Sequence, residues 1–154
     1  MKFFEKAAKR EVTVFKRKNI RKFVAALLGM AAGMSLTTTI IPTAITSFIG
    51  GDHFEIRFLL ADYFAHTALF WGTAGWAVGK IASPRYGAIV LGSVGAISGL
   101  LLGIAALGGA PNLLIVSVLS AVVYGAIGGM IISGILPGDD ERLMINFDKN
   151  KAEP

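Results

Sequence analysis

The chain has 154 residues, 54% of them hydrophobic and 16% charged, against roughly 25% charged in a soluble domain. It has no cysteine, which excludes disulfides, thiolate metal sites and cysteine nucleophiles. The formal charge of +5 would suit nucleic acid, but the basic residues flank long apolar runs, where a membrane demands them, and nucleic acid is not an expected partner.

Residues 1–22 hold Phe4, Ala8, Val12 and Phe15 close to helical spacing, with lysine and arginine at most positions between. That pattern predicts a basic amphipathic helix lying on an anionic cytoplasmic leaflet. Four apolar runs follow, at about 23–48, 58–79, 88–107 and 113–136. Each has about the 20 residues that a helix needs to cross ~30 Å of hydrocarbon. The expected fold is therefore an all-α integral membrane protein, with four transmembrane helices in a tight, glycine-rich bundle over 23–136. Residues 137–154 open on Pro137-Gly138 and read as a polar cytoplasmic tail.

Lysine and arginine set the expected orientation. Nine precede the first run (Lys2, Lys6, Lys9, Arg10, Lys16, Arg17, Lys18, Arg21 and Lys22). Lys80 and Arg85 fall in the second connection, and Arg142, Lys149 and Lys151 in the tail. With both termini cytoplasmic, only Arg57 faces outward. The first run is too long for a cleaved signal peptide and no small-x-small site follows it, so it is expected to be a retained helix. A bacterial inner membrane is the expected location.

Within the runs, small residues recur at helical spacing. Ala61, Ala65, Ala68, Gly72, Gly75 and Gly79 mark one stripe of the second run, and Ala88, Gly92, Gly95, Gly99 and Gly103 one of the third. The first run offers Ala25, Gly29 and Gly33, and the fourth Ser117, Ala121, Gly125 and Gly129. Such stripes let membrane helices approach closely, either inside one bundle or between subunits. Tyr63, Phe64, Phe70 and Trp71 fall opposite the second stripe and are expected to face lipid or another protein. Pro42 predicts a kink that frees the Thr38 carbonyl, with Thr37, Thr38 and Thr39 at hand to satisfy it.

Asp62 and His66 are the ionisable residues inside an apolar run, four apart and hence one turn apart on one face. They are expected to point into or beside the bundle as a mutually satisfied intramembrane pair, with a threonine of the first helix (Thr37, Thr38, Thr39 or Thr43) as partner for the imidazole. A proton or ion relay, and haem or chlorin ligation by His66, are the alternatives weighed against it. Asp52, His53, Glu55, Asp62 and His66 are metal-ligand types, but their spacing matches no recognised site, and no metal or resident cofactor is expected. There is no nucleophile–base set, phosphate loop or paired catalytic carboxylates, so an enzyme is not expected. Two functions fit: an accessory or assembly subunit of a larger membrane complex, held to other subunits or to itself through small-residue stripes, or a small oligomeric channel, holin-like pore or proton-coupled carrier with Asp62 and His66 near its pathway.

Overall fold

A computed structural model describes residues 2–81 and 83–135; for residues 2–18, 53 and 54 it describes the backbone alone. Among the described residues every regular element is helical. Helix α1 covers Lys2–Ser35, a π-helical turn covers Leu36–Ile40, and α2 covers Ile41–Phe48. Then follow α3 at His53–Ala61, α4 at Phe64–Val78, α5 at Pro84–Ala105 and α6 at Pro111–Ile135. Three helical stretches among the described residues are long and apolar enough to cross a membrane, Asn19–Phe48, Pro84–Ala105 and Pro111–Ile135. The tail at 137–154 lies outside the described residues, as do the side chains that define the amphipathic pattern of 1–22.

Two boundaries differ from the sequence expectation. First, α1 runs without interruption through Lys22 and Phe23, so the basic segment and the first apolar run are one helix rather than two. Second, the run at 58–79 is not one helix. It breaks at Asp62 and Tyr63, where the Tyr63 amide turns back to the Leu60 carbonyl at 3.1 Å, a tighter bond than the α-helical one. The Thr67 amide then restarts the helical ladder on the Tyr63 carbonyl at 2.9 Å, and the Thr67 hydroxyl donates to that same oxygen at 2.8 Å. Aspartate and tyrosine are weak helix formers, which makes this a cheap place to break.

The Pro42 distortion takes a specific form. The Ile41 amide reaches back five residues to the Leu36 carbonyl, making the π-turn immediately before the proline, which has no amide to give. The Thr37 and Thr38 hydroxyls both donate to the Met34 carbonyl, at 3.0 and 2.9 Å, and Thr46 donates to the Pro42 carbonyl at 2.9 Å. These hydroxyls are therefore committed to their own helix.

The bundle is built from two antiparallel pairs, α1 with α4 and α5 with α6, which are its most extensively packed elements. In the α5–α6 pair, each step of four residues along one helix is matched on the other. A Cβ built on Gly87 would strike the Gly129 carbonyl, one on Gly125 the Leu91 carbonyl, and one on Gly95 the Ala121 carbonyl. One on Gly99 would stand 2.6 Å from the Ser117 carbonyl oxygen, and one on Gly103 3.3 Å from the Leu114 Cα. Gly92 is looser, at 3.6 Å from Ala126. The turn between the two helices needs glycine for another reason: Gly108 and Gly109 have φ of 72° and 73°, and the Gly109 amide closes the end of α5 on the Gly103 carbonyl at 2.9 Å. Pro111 then starts α6 at a position where a missing amide costs nothing.

The α1–α4 pair is equally close. Cβ atoms on Gly29 and Gly75 would meet the backbones of Trp71 and Ala25, and one on Gly33 would lie 2.7 Å from the Thr67 carbonyl oxygen. Gly79 faces Ala25 and Lys22, whereas Gly72 faces the flexible side chain of Met30.

Candidate functional site at the α3–α4 break

Helix α4 meets its surroundings on two very different faces. Inward, Thr67, Ala68, Trp71, Gly72, Ala74, Gly75 and Val78 are buried. The inward small stripe thus begins at Ala68; Ala61 and Ala65, expected to share it, are exposed. Trp71 also departs from expectation. Instead of facing lipid it is fully buried, packed on Gly33 and Gly125, with its ring centroid 5.9 Å from that of Tyr124. Its indole N–H donates to the Ser98 hydroxyl of α5 at 2.9 Å. Trp71 is therefore a bolt that joins one helix pair to the other. An indole N–H inside an apolar run needs an acceptor, and Ser98 is one of few hydroxyls in the third run; that was the signal in the sequence.

At one end of α4, Arg21 of α1 closes the helix. Its Nε donates to the Gly79 carbonyl at 2.8 Å and its terminal nitrogen to the Lys80 carbonyl at 2.9 Å, which places a cation on the negative end of the helix dipole. Beside it, the Lys80 ammonium sits 4.0 Å from the Trp76 ring centroid and that of Lys22 at 6.0 Å. Basic residues far apart in sequence thus meet at one end of the bundle.

The outward face carries the ionisable pair. Asp62, His66, Leu69, Thr73, Trp76 and Lys80 are all exposed, and they follow one another at intervals of 4, 3, 4, 3 and 4 residues. Asp62 and His66 therefore do not point into the bundle, and the first helix's threonines do not receive them. Among the described residues neither side chain has a hydrogen-bond or ion-pair partner. Thr73 is satisfied by its own helix, donating to the Phe70 carbonyl at 2.7 Å. At 1.5 Å per residue, His66 stands about 20 Å along α4 from Gly79, and Asp62 about 25 Å across the break.

Among the described residues the buried polar side chains besides the Trp71 indole are hydroxyls, Thr37, Thr67, Ser98, Ser117 and Ser133. Ser133 bonds the Gly129 carbonyl at 2.6 Å, whereas the Ser117 hydroxyl is fully buried with no partner. Beside the π-turn, Thr37, Thr38, Arg57, Phe58, Leu60 and Phe64 line an open hollow of about 360 Å³. Among the described residues no group of three His, Cys, Asp or Glu is arranged to hold a metal; the His53 side chain lies outside them.

Comparison with protein-family models, with curated proteins and with solved structures finds no match to this chain.

Proposed function

We propose that the chain is a small polytopic membrane protein that acts as an accessory or assembly subunit of a larger membrane complex. It would cross a bacterial inner membrane four times, α3 and α4 forming one broken span, with both termini cytoplasmic. The Arg21–Gly79 contact and the gathering of Lys22 and Lys80 around Trp76 support that threading, since basic residues and tryptophan belong together at a cytoplasmic interface. One observation carries the function. The ionisable residues of the second run, Asp62 and His66, face away from a core whose buried polar groups, among the described residues, are hydroxyls and the Trp71 indole.

A proton path through such a core has no group to use, and ionisable side chains turned towards bare lipid are unfavourable. A surface for another membrane protein resolves both points. The small-residue stripes, taken up largely within the chain, leave the outward face of α4 as the docking surface. Chemistry on a substrate is not proposed.

Purification of the intact protein in mild detergent, with mass spectrometry of what co-migrates, tests this. A stoichiometric membrane-protein partner or a discrete oligomer is expected; a monodisperse monomer with an inert α4 face would refute it. The outward placement also favours one alternative, an oligomeric channel with Asp62 and His66 lining a pathway between copies. Asp62→Asn and His66→Gln separate the two. Retained assembly and activity support the subunit, and retained assembly with lost activity supports conduction.

A further inference from the structure

We infer that the Arg21 end of the α1–α4 pair holds the phosphodiester of an anionic phospholipid, between the Lys22 and Lys80 ammonium groups beside Trp76. Such a site needs the chain to lie in a membrane but not to act as a subunit. Three cations converge there. Arg21 donates through Nε and one terminal nitrogen to the Gly79 and Lys80 carbonyls. The ammonium groups of Lys80 and Lys22 stand 4.0 and 6.0 Å from the Trp76 ring centroid, so both lie within 6.0 Å of one point although they belong to different helices. Close backbone packing brings them together: a Cβ on Gly79 would lie 2.9 Å from the Lys22 Cα.

Among the described residues nothing balances these charges. The acidic side chains there are Asp52, Glu55 and Asp62. All three precede α4, on the side where α3 packs on the π-turn and α2. The negative end of the α4 dipole is already met by Arg21, which leaves the two lysines over. An indole face attracts a cation but carries no net charge, so it positions the ammonium groups without neutralising them. Neither ammonium has a hydrogen-bond or ion-pair partner among the described residues, and their donors are open. Depth and chemistry then select the anion. Trp76 is 44% exposed, and tryptophan settles at the headgroup level of a bilayer, where the ammonium groups beside it meet lipid phosphates. The occupant must accept hydrogen bonds and carry negative charge, and a phosphodiester does both through its unesterified oxygens. A zwitterionic headgroup brings a cation of its own, which the lysines repel; an anionic one does not.

The two tryptophans make the test direct, since Trp71 is fully buried and Trp76 is not. The full chain is reconstituted in mixed vesicles of phosphatidylglycerol and phosphatidylcholine, one or the other brominated high in the acyl chain, and quenching of Trp76 is read against Trp76→Phe. At equal mole fraction, brominated phosphatidylglycerol should quench Trp76 more than brominated phosphatidylcholine. Lys22→Gln and Lys80→Gln should each lower that preference by up to about fivefold, and Lys80→Arg should keep it. Arg85→Gln, which removes an exposed cation from the same connection, should leave it unchanged. Equal quenching by the two lipids overturns the site. A preference that survives both glutamine substitutions together, or that Arg85→Gln lowers equally, also overturns it, because diffuse basic charge would then be gathering the lipid. A preference that emerges only after Asp139→Asn, Asp140→Asn and Glu141→Gln makes the acidic tail the occupant and overturns the lipid.

Discussion

The Trp71–Ser98 contact is the sharpest test of how the two helix pairs are held together. Trp71→Phe removes the indole N–H and leaves a space of about 40 Å³, which at about 24 cal/mol per Å³ costs about 1 kcal/mol. The lost bond adds about 0.6 kcal/mol, the mean for interhelical hydrogen bonds in a membrane protein, with about 1.7 as an upper value. Ser98, 4% exposed, is not stranded by that change, since a serine hydroxyl in a helix can turn to the carbonyl four residues back. Ser98→Ala acts the other way. It creates a small void but leaves the fully buried indole N–H with no acceptor, and an unsatisfied buried donor costs about 1–3 kcal/mol. Each single variant should therefore lose about 1.5–2 kcal/mol by different routes. The double variant should lose less than their sum by about 1–3 kcal/mol, because with the indole gone no donor is left stranded. A double-mutant cycle, read by reversible unfolding in mixed detergent micelles, gives the coupling directly. Coupling below about 0.3 kcal/mol would show that Trp71 works by shape alone and that the hydrogen bond does not join the pairs.

Gly95→Ala and Gly129→Ala, whose Cβ atoms would strike backbone carbonyls, should each lower detergent thermal stability by about 1–3 kcal/mol. Gly72→Ala should cost less because Met30 can move aside, and Gly128→Ala, with open space around it, should raise helix stability by up to about 1 kcal/mol. Ser117→Ala should be neutral or slightly stabilising in the same assay, as it removes a buried hydroxyl that has no partner. A loss above about 1 kcal/mol would mean that the hydroxyl is bonded. Arg21→Ala should destabilise by about 0.5–1 kcal/mol through loss of the α4 cap, and Arg21→Lys should recover only part, having no planar fork for two carbonyls. For the four-span topology, Gly51→Cys should be labelled from outside intact cells and Lys80→Cys should not; labelling at Lys80→Cys would invert or break the proposed threading.

Much of this protein is written in one dimension. The third and fourth apolar runs, expected at 88–107 and 113–136, are helices α5 and α6 within about a turn, because run length and flanking prolines are local properties. The glycines of the third stripe and all four residues of the fourth are buried, since steps of three or four residues keep to one helix face whatever it meets. What spacing leaves open is the partner of a face. Gly87, outside the expected stripe, proves as close to α6 as any, and its only sequence signal was lying eight residues before Gly95. The role of Trp71 was decided by tertiary packing. Three residues after Ala68 and four before Gly75 it flanks the small stripe, and packing on Gly33 of α1, Ser98 of α5 and Gly125 of α6 makes that position the core. The outward turn of His66 was decided in the same way. The inward positions of α4 are taken by Thr67, Ala68 and Trp71, so the polar pair is carried to the side that, among the described residues, is left exposed. A sequence states which residues share a face; only the assembled bundle states which face is left over.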